Sequence, residues 1–287
     1  MAIHASLHYI LAARRAQVDV IQARARRARA GRDPEDLHQM RVAVRRLRAI
    51  LRAGRPLFER RWIEGLRREL DWLGTALGEV RDLDILRAHL GPRVAAHGAS
   101  KRPAGRRLLR RLDADRARAR SALRSVLDSP RYPRLIARLE AALRRPRVGS
   151  PDVSLLDLAA AEFRKLRRAV KTLPGRPSAE DLHAVRIRVK RARYGAELVR
   201  ATVGRRAERF LDQAKKIQDI LGEHQDTVVL QGYLHEAIDR TEPGHALVQS
   251  LMRGQRKRRK RARAAFFEEW PRLERRGRKA WSAPPAP

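Results

Sequence analysis

Apolar residues recur along most of the chain at intervals of three and four, the period that sets them on one side of an α-helix. Leu37, Met40, Val44, Leu47 and Leu51 form one such row, and Leu182, Val185, Val189, Ala192 and Val199 form its counterpart in the second half. Ala, Leu and Arg dominate, strand-forming alternation is sparse, and no Asn-Gly or Asp-Gly hairpin pair occurs. The pattern therefore predicts an all-α chain. Gly and Pro punctuate it. Arg32-Asp33-Pro34 opens one helix, Gly54-Arg55-Pro56 closes it, Gly91-Pro92 is expected to end a later one, and the segment from Gly98 to Gly105 reads as a loop. Leu173 to Ser178 (LPGRPS) precedes another helix much as the GRDP segment does. The cluster Pro146 to Pro151 (PRVGSP) marks the expected boundary, giving halves 1–147 and 148–281 and a disordered tail, 282–287, that ends in APPAP. Each half has room for about four helices of ordinary length, a four-helix-bundle-like unit.

The halves carry one motif twice. Glu35 to Arg48 reads EDLHQMRVAVRRLR, and Glu180 to Arg193, 145 residues on, reads EDLHAVRIRVKRAR. A second pair, LGEVRD at Leu77 to Asp82 and LGEHQD at Leu221 to Asp226, repeats at an offset of 144. Two matches in the same order at nearly one offset point to internal duplication. In each copy a basic row follows the apolar row by one residue, rotated roughly 100° around the helix. His38, Arg41, Arg45, Arg48 and Arg52 share that face in the first copy, and His183, Arg186, Lys190 and Arg193 share it in the second. Arg46 and Arg191 flank the rows. One side of each helix is thus expected to pack inward while the adjacent side presents cations.

Charge narrows the partner. Among 287 residues, 67 Lys and Arg stand against 32 Asp and Glu, a net charge of +35 that repels itself and attracts any polyanion: nucleic acid, an anionic membrane surface, or an inorganic or phosphorylated polymer. Cysteine is absent, which excludes disulfides and thiolate metal sites. The first apolar run has no basic residue before it and no run approaches the length of a membrane span, so a soluble, cytoplasmic protein without membrane insertion is expected. Arginine grips phosphate oxygens bidentately and lysine adds a mobile point charge. From His38 to Arg48 the row spans roughly 15 Å, enough for several consecutive phosphates. Each histidine follows an acidic pair that suits a helix N-terminus, and imidazole donates to a phosphate oxygen or adds a charge when protonated. Binding is accordingly expected to strengthen as pH falls through about 6.5. Neither copy places a second ligating side chain at metal spacing, so no metal or cofactor is expected.

The sequences LHQMRVAVRRLR and LHAVRIRVKRAR, each followed by an LGE…D segment, resemble the CHAD family, the conserved histidine α-helical domain that binds inorganic polyphosphate. The resemblance runs from about Ser6 to Phe267. It implies two four-helix bundles related by a pseudo-twofold axis with a basic channel between them. By motif match, His38, Arg41, Arg45 and Arg48 would form one wall and His183, Arg186, Lys190 and Arg193 the other, flanked by Arg46, Arg52 and Arg191. Attachment to polyphosphate granules follows as an expectation.

Three functions compete at this point. The first is non-catalytic polyphosphate binding. The second is nucleic-acid binding by backbone charge. Its support is the run Arg253 to Arg263 (RGQRKRRKRAR), although no Tyr/Phe cluster interleaves the repeat helices and no DNA-reading motif appears. The third is a metal-dependent polyphosphate-processing enzyme using Glu79 with Asp82 and Glu223 with Asp226. Each pair shares a helix face. The preferred reading is that these carboxylates pin arginines; no P-loop, Glu-x-Glu-x-Lys pattern or nucleophile constellation accompanies them.

Overall fold

A computed structural model describes residues 2–30, 33–149, 154–236 and 242–281. The tail 282–287 and the end of the PRVGSP segment lie outside the described residues. The described residues form ten α-helices: α1 (Ala2–Ala30), α2 (Pro34–Ala53), α3 (Arg60–Ala95), α4 (Arg102–Asp128), α5 (Arg131–Arg144), α6 (Leu155–Lys171), α7 (Ala179–Leu198), α8 (Arg200–Val203), α9 (Arg205–Glu236) and α10 (Glu242–Trp281). Among the described residues the one extended pairing is an isolated antiparallel bridge between Phe58 and Val148. The all-α class holds.

The chain divides into two compact units. One comprises Met1–Asp152 with Asp239–Leu247, and the other Val153–Ile238 with Val248–Pro287. The first unit holds five helices of its own, α1 to α5, where about four are expected per half. The extra one arises at Ser129-Pro130: Ser129 is extended (φ −67°, ψ 148°) and interrupts what would otherwise be a continuous helix. In this unit α2 buries the predicted row Leu37, Met40, Val44, Leu47 and Leu51. In the other, Leu182, Val185, Val189 and Ala192 of α7 join Phe163, Phe210, Ile217, Leu221 and Phe266 in one apolar cluster. Val199, the last residue of that predicted row, is buried but stands at the cap beyond α7. Phe266 fills the core behind the basic run, while Phe267 remains exposed.

Local chemistry fixes where the repeat helices begin. Asp33 Oδ1 accepts the Glu35 amide at 2.8 Å ahead of α2. Ser178 and Asp181 form a reciprocal capping box ahead of α7, at 3.1 and 2.8 Å. Two breaker expectations fail. Gly91-Pro92 does not end its helix: α3 continues to Ala95, because Pro92 removes one backbone donor while the extra turn buries Val94. Gly98 to Gly105 is not a loop either, since a 3-10 turn (Ala99–Lys101) leads into α4 at Arg102 and Pro103 sits in the first helical turn, where its missing N–H is harmless. Gly105 faces α3, and a Cβ there would stand 2.3 Å from Val94 Cγ1, so glycine permits the close approach of the two helices.

Candidate functional site

In the first unit the basic face of α2 lies along α3, which carries the LGEVRD segment. Arg41 extends over Gly78: a Cβ on that glycine would sit 3.8 Å from Arg41 Nη2 and 4.0 Å from its Nε. The same guanidinium donates to Asp82 Oδ1 at 3.1 Å. His38 is half-buried, and its Nδ1 has no hydrogen-bond partner among the described residues. Burial first and Arg81 next, with Arg45 and Arg41 adding, hold the His38 ring below the usual imidazole value against the opposing pull of Glu35. Arg45 is half-buried with an unbonded Nε. Arg48 is exposed and pairs with Asp71. Arg46 and Arg52 are exposed at the edge of the row.

The second unit repeats the central contact. Arg186 on α7 extends over Gly222 of α9, with a Cβ on that glycine 3.7 Å from Nη2 and 4.0 Å from Nε. His183 Nδ1 lies 2.8 Å from Gln225 Oε1. With that oxygen accepting, Nδ1 carries the proton and Nε2 donates only from the doubly protonated ring. Lys190 and Arg191 are half-buried. Arg193 turns inward. It pairs with Glu197 at 3.3 Å, lies 5.0 Å from the Tyr194 ring centre, and its side chain is 12% exposed.

The LGE segments supply carboxylates that hold one cation of the first row and one of α10. Asp82 takes Arg41, and Glu223 takes Arg258 of α10 through Nε at 3.1 Å and Nη2 at 3.0 Å. Glu79 is exposed. These engaged carboxylates act as arginine anchors, and among the described residues no group of three or more His, Cys, Asp or Glu side chains gathers at metal-binding spacing. Sequence reasoning missed Arg81 as a determinant of His38. The available signal was the repeat itself, which sets Arg81 against Gln225. Arg258 and Arg259, the latter bonded to Gln231 at 3.0 Å, are members of the basic run that turn toward α9. His224, buried between neighbours that include Arg259 and Arg263, is likewise held below the ordinary imidazole value, mainly by burial.

A basic helix face laid over a glycine, twice in one chain, is matched by comparison with known sequences: the CHAD domain profile covers residues 12–235. The chain belongs to the CHAD family. Two curated relatives, the uncharacterized proteins MT2285 and Rv2226 of Mycobacterium tuberculosis strains CDC 1551 / Oshkosh and ATCC 25618 / H37Rv, are each 34% identical over 212 residues. That alignment takes in 69% of this chain and 39% of theirs, so this chain matches only about two fifths of the length of those relatives. Among solved structures, PptA from Streptomyces chartreusis superposes with a TM-score of 0.75 at 24% identity, covering 92% of this chain and 98% of that one. The CHAD domain from the plant Ricinus communis gives 0.63 at 27% identity, covering 98% and 92%. This CHAD protein has no helix among its described residues that is long and apolar enough to cross a membrane.

Proposed function

We propose that the protein binds inorganic polyphosphate without catalysis, through His38, Arg41, Arg45 and Arg48 on α2 and His183, Arg186, Lys190 and Arg193 on α7, with Arg46, Arg52 and Arg191 flanking. The observation that carries this reading is the twofold recurrence of one contact, Arg41 over Gly78 and Arg186 over Gly222, at matching distances. At each glycine the guanidinium lies within ordinary contact distance of the neighbouring helix. Polyphosphate offers no bases to read, so charge density and a slender backbone are what such rows recognise. Membership of the CHAD family supports the same substrate class.

The test is polyphosphate affinity at physiological salt after Arg41, Arg45, Arg186 and Lys190 are all replaced by Ala. Affinity should fall at least roughly a hundredfold, since hydrogen bonds to charged groups contribute ~1.5–3 kcal/mol each. Neutralising exposed cations of α10 should leave it unchanged; the reverse outcome overturns the assignment. The family's channel, in which one phosphate chain meets both rows, is tested by the α2 and α7 pairs of substitutions made separately. Long-chain affinity should then suffer far more than short-chain affinity in each. With Mg²⁺ or Mn²⁺ present no orthophosphate should be released, and steady release would replace this reading with the enzymatic one. In cells, the tagged protein should gather on polyphosphate granules and the fourfold variant should disperse.

A further inference from the structure

The basic run that the stripes do not use lies on α10, and it separates into two faces. Arg258 and Arg259 turn toward α9, where Glu223 and Gln231 hold them. Arg253, Arg256, Lys257, Lys260 and Arg261 are exposed, and no ion pair or hydrogen bond engages them among the described residues. Their spacing of three, one, three and one keeps them on the outward side of the helix. Two further exposed cations without such partners, Arg275 and Lys279, continue the same side near its end. Between the two groups that side carries Ala264, Phe267, Glu268 and Pro271, all exposed and none of them basic, while exposed Arg272 at its edge is held by Glu269 and Arg278 in the second group by Glu274.

We propose that this outward face of α10 docks the phosphate backbone of duplex nucleic acid, independently of base sequence. From Arg261 to Arg275, the facing ends of the two groups, is 14 residues, roughly 21 Å of helix. One duplex turn of about 34–36 Å carries both strands past a given line, so the two cationic groups meet the phosphates of the two strands that border one groove while the middle spans that groove. The gap decides among polyanions. A continuous slender chain lying along this face would run against Glu268, whereas a duplex has no phosphate to offer where the groove opens. Single strands need aromatic platforms, and a lone Phe267 is not one. An anionic membrane would require an apolar face to insert, and Phe267 is the sole large exposed apolar side chain on this helix among its described residues. Long, unpaired Lys and Arg side chains are what sequence-independent phosphate neutralisation uses.

The experiment measures binding of a mixed-sequence 30-base-pair DNA duplex across a salt series, by fluorescence anisotropy, for three variants. In the first, Arg253, Arg256, Lys257, Lys260 and Arg261 are replaced by Gln. In the second, five exposed arginines of the other unit, Arg15, Arg26, Arg102, Arg106 and Arg110, are replaced by Gln to give the same net charge. In the third, Arg41, Arg45, Arg186 and Lys190 are replaced by Ala. Every position in the first two variants is solvent-exposed, and circular dichroism verifies the fold. The α10 variant should lose duplex affinity, with a log–log salt slope flatter by about 0.9 for each phosphate contact removed. It should keep its polyphosphate affinity, and the other two variants should keep most duplex binding. Equal losses in the α10 and charge-matched variants would reduce the effect to net charge and overturn the proposal. So would loss of polyphosphate binding, or of binding to phosphatidylserine vesicles, by the α10 variant with duplex binding intact. Because the third variant disables the stripes alone, failure of the polyphosphate reading and failure of this one give different results.

Discussion

His38 and His183 occupy equivalent positions in two copies of one motif, yet His38 meets the charge of Arg81 and His183 meets the amide of Gln225. That single difference sets a cation beside one ring and a neutral amide beside the other. Replacing Arg81 with Gln removes a repulsive cation, so the His38 titration followed by NMR should shift upward toward the ordinary value, and an unmoved midpoint would remove Arg81 from the causes, leaving burial with Arg45 and Arg41. The same shift bears on stability. With His38 and His224 both depressed in the folded protein, the unfolded chain binds more protons just below its pKa of about 6.5, so their contribution is complete above that pH and declines as pH falls through the window beneath it. Urea midpoints should therefore drop between pH 7.5 and 5.5, and drop less in His38→Gln. Polyphosphate favours protonated imidazole, so rising affinity from His38 should set in below pH 6.5 and not through it. The LGE glycines admit a finer test. A Cβ at Gly78 or Gly222 would rest at an ordinary contact distance from the guanidinium, so Gly78→Ala should bind nearly as wild type. Gly78→Leu would displace Arg41 and should weaken polyphosphate binding about tenfold, equivalent to ~1.4 kcal/mol, in a titration calorimeter.

Among the helices, ends and crossings carry the specificity. Ser178→Ala removes half of the capping box of α7 and should cost about 1 kcal/mol in chemical denaturation. Gly277 of α10 lies against the Phe163 ring, which a Cβ would enter at 2.2 Å. Gly277→Ala should thus destabilise by about 1–3 kcal/mol through overpacking, and Phe163→Leu in the same chain should recover part of it. These crossings explain which parts of the fold were legible in the sequence. The apolar rows of α2 and α7 were readable because burial imposes a period of three to four on them, and the helix starts because Arg32-Asp33-Pro34 and the LPGRPS segment mark breaks just ahead of them. Gly91-Pro92 and Gly98 to Gly105 misled, since their value depends on what packs across from them: Val94 against Gly105 is a contact between helices that local propensity does not encode. At the site the rows were visible as spacing, and the carboxylates were rightly read as arginine anchors at Asp82 and Glu223. The inward turn of Arg193 onto Glu197 and Tyr194 was not, because its position in the repeat matches that of exposed Arg48.

At the scale of the molecule, a charge of +35 spread over 287 residues works against compactness wherever counterions are scarce. The melting temperature should therefore rise as NaCl goes from 10 to 150 mM, most of the gain coming as the Debye length shrinks from about 30 to about 8 Å. A polyanion seated on the stripes acts through binding as well. Polyphosphate at a hundred times its dissociation constant should add about 2.7 kcal/mol, and a differential scanning measurement showing no upward shift would count against binding to the folded state. The chain also threads its two units in an alternating order: the first unit is left at Asp152 and regained at Asp239–Leu247. Leu247 is buried there, 3.6 Å from where a Cβ of Gly105 would stand. On the ribosome this sets a schedule. The 95 residues from Asp152 to Leu247 take about 5–20 s to synthesise at ~5–20 residues per second, and through that interval the nascent first unit lacks the Leu247 side chain that packs beside Gly105. Its last packing piece arrives only after the polypeptide of α6 to α9 has been made, so neither half of the duplication is finished before the other has begun.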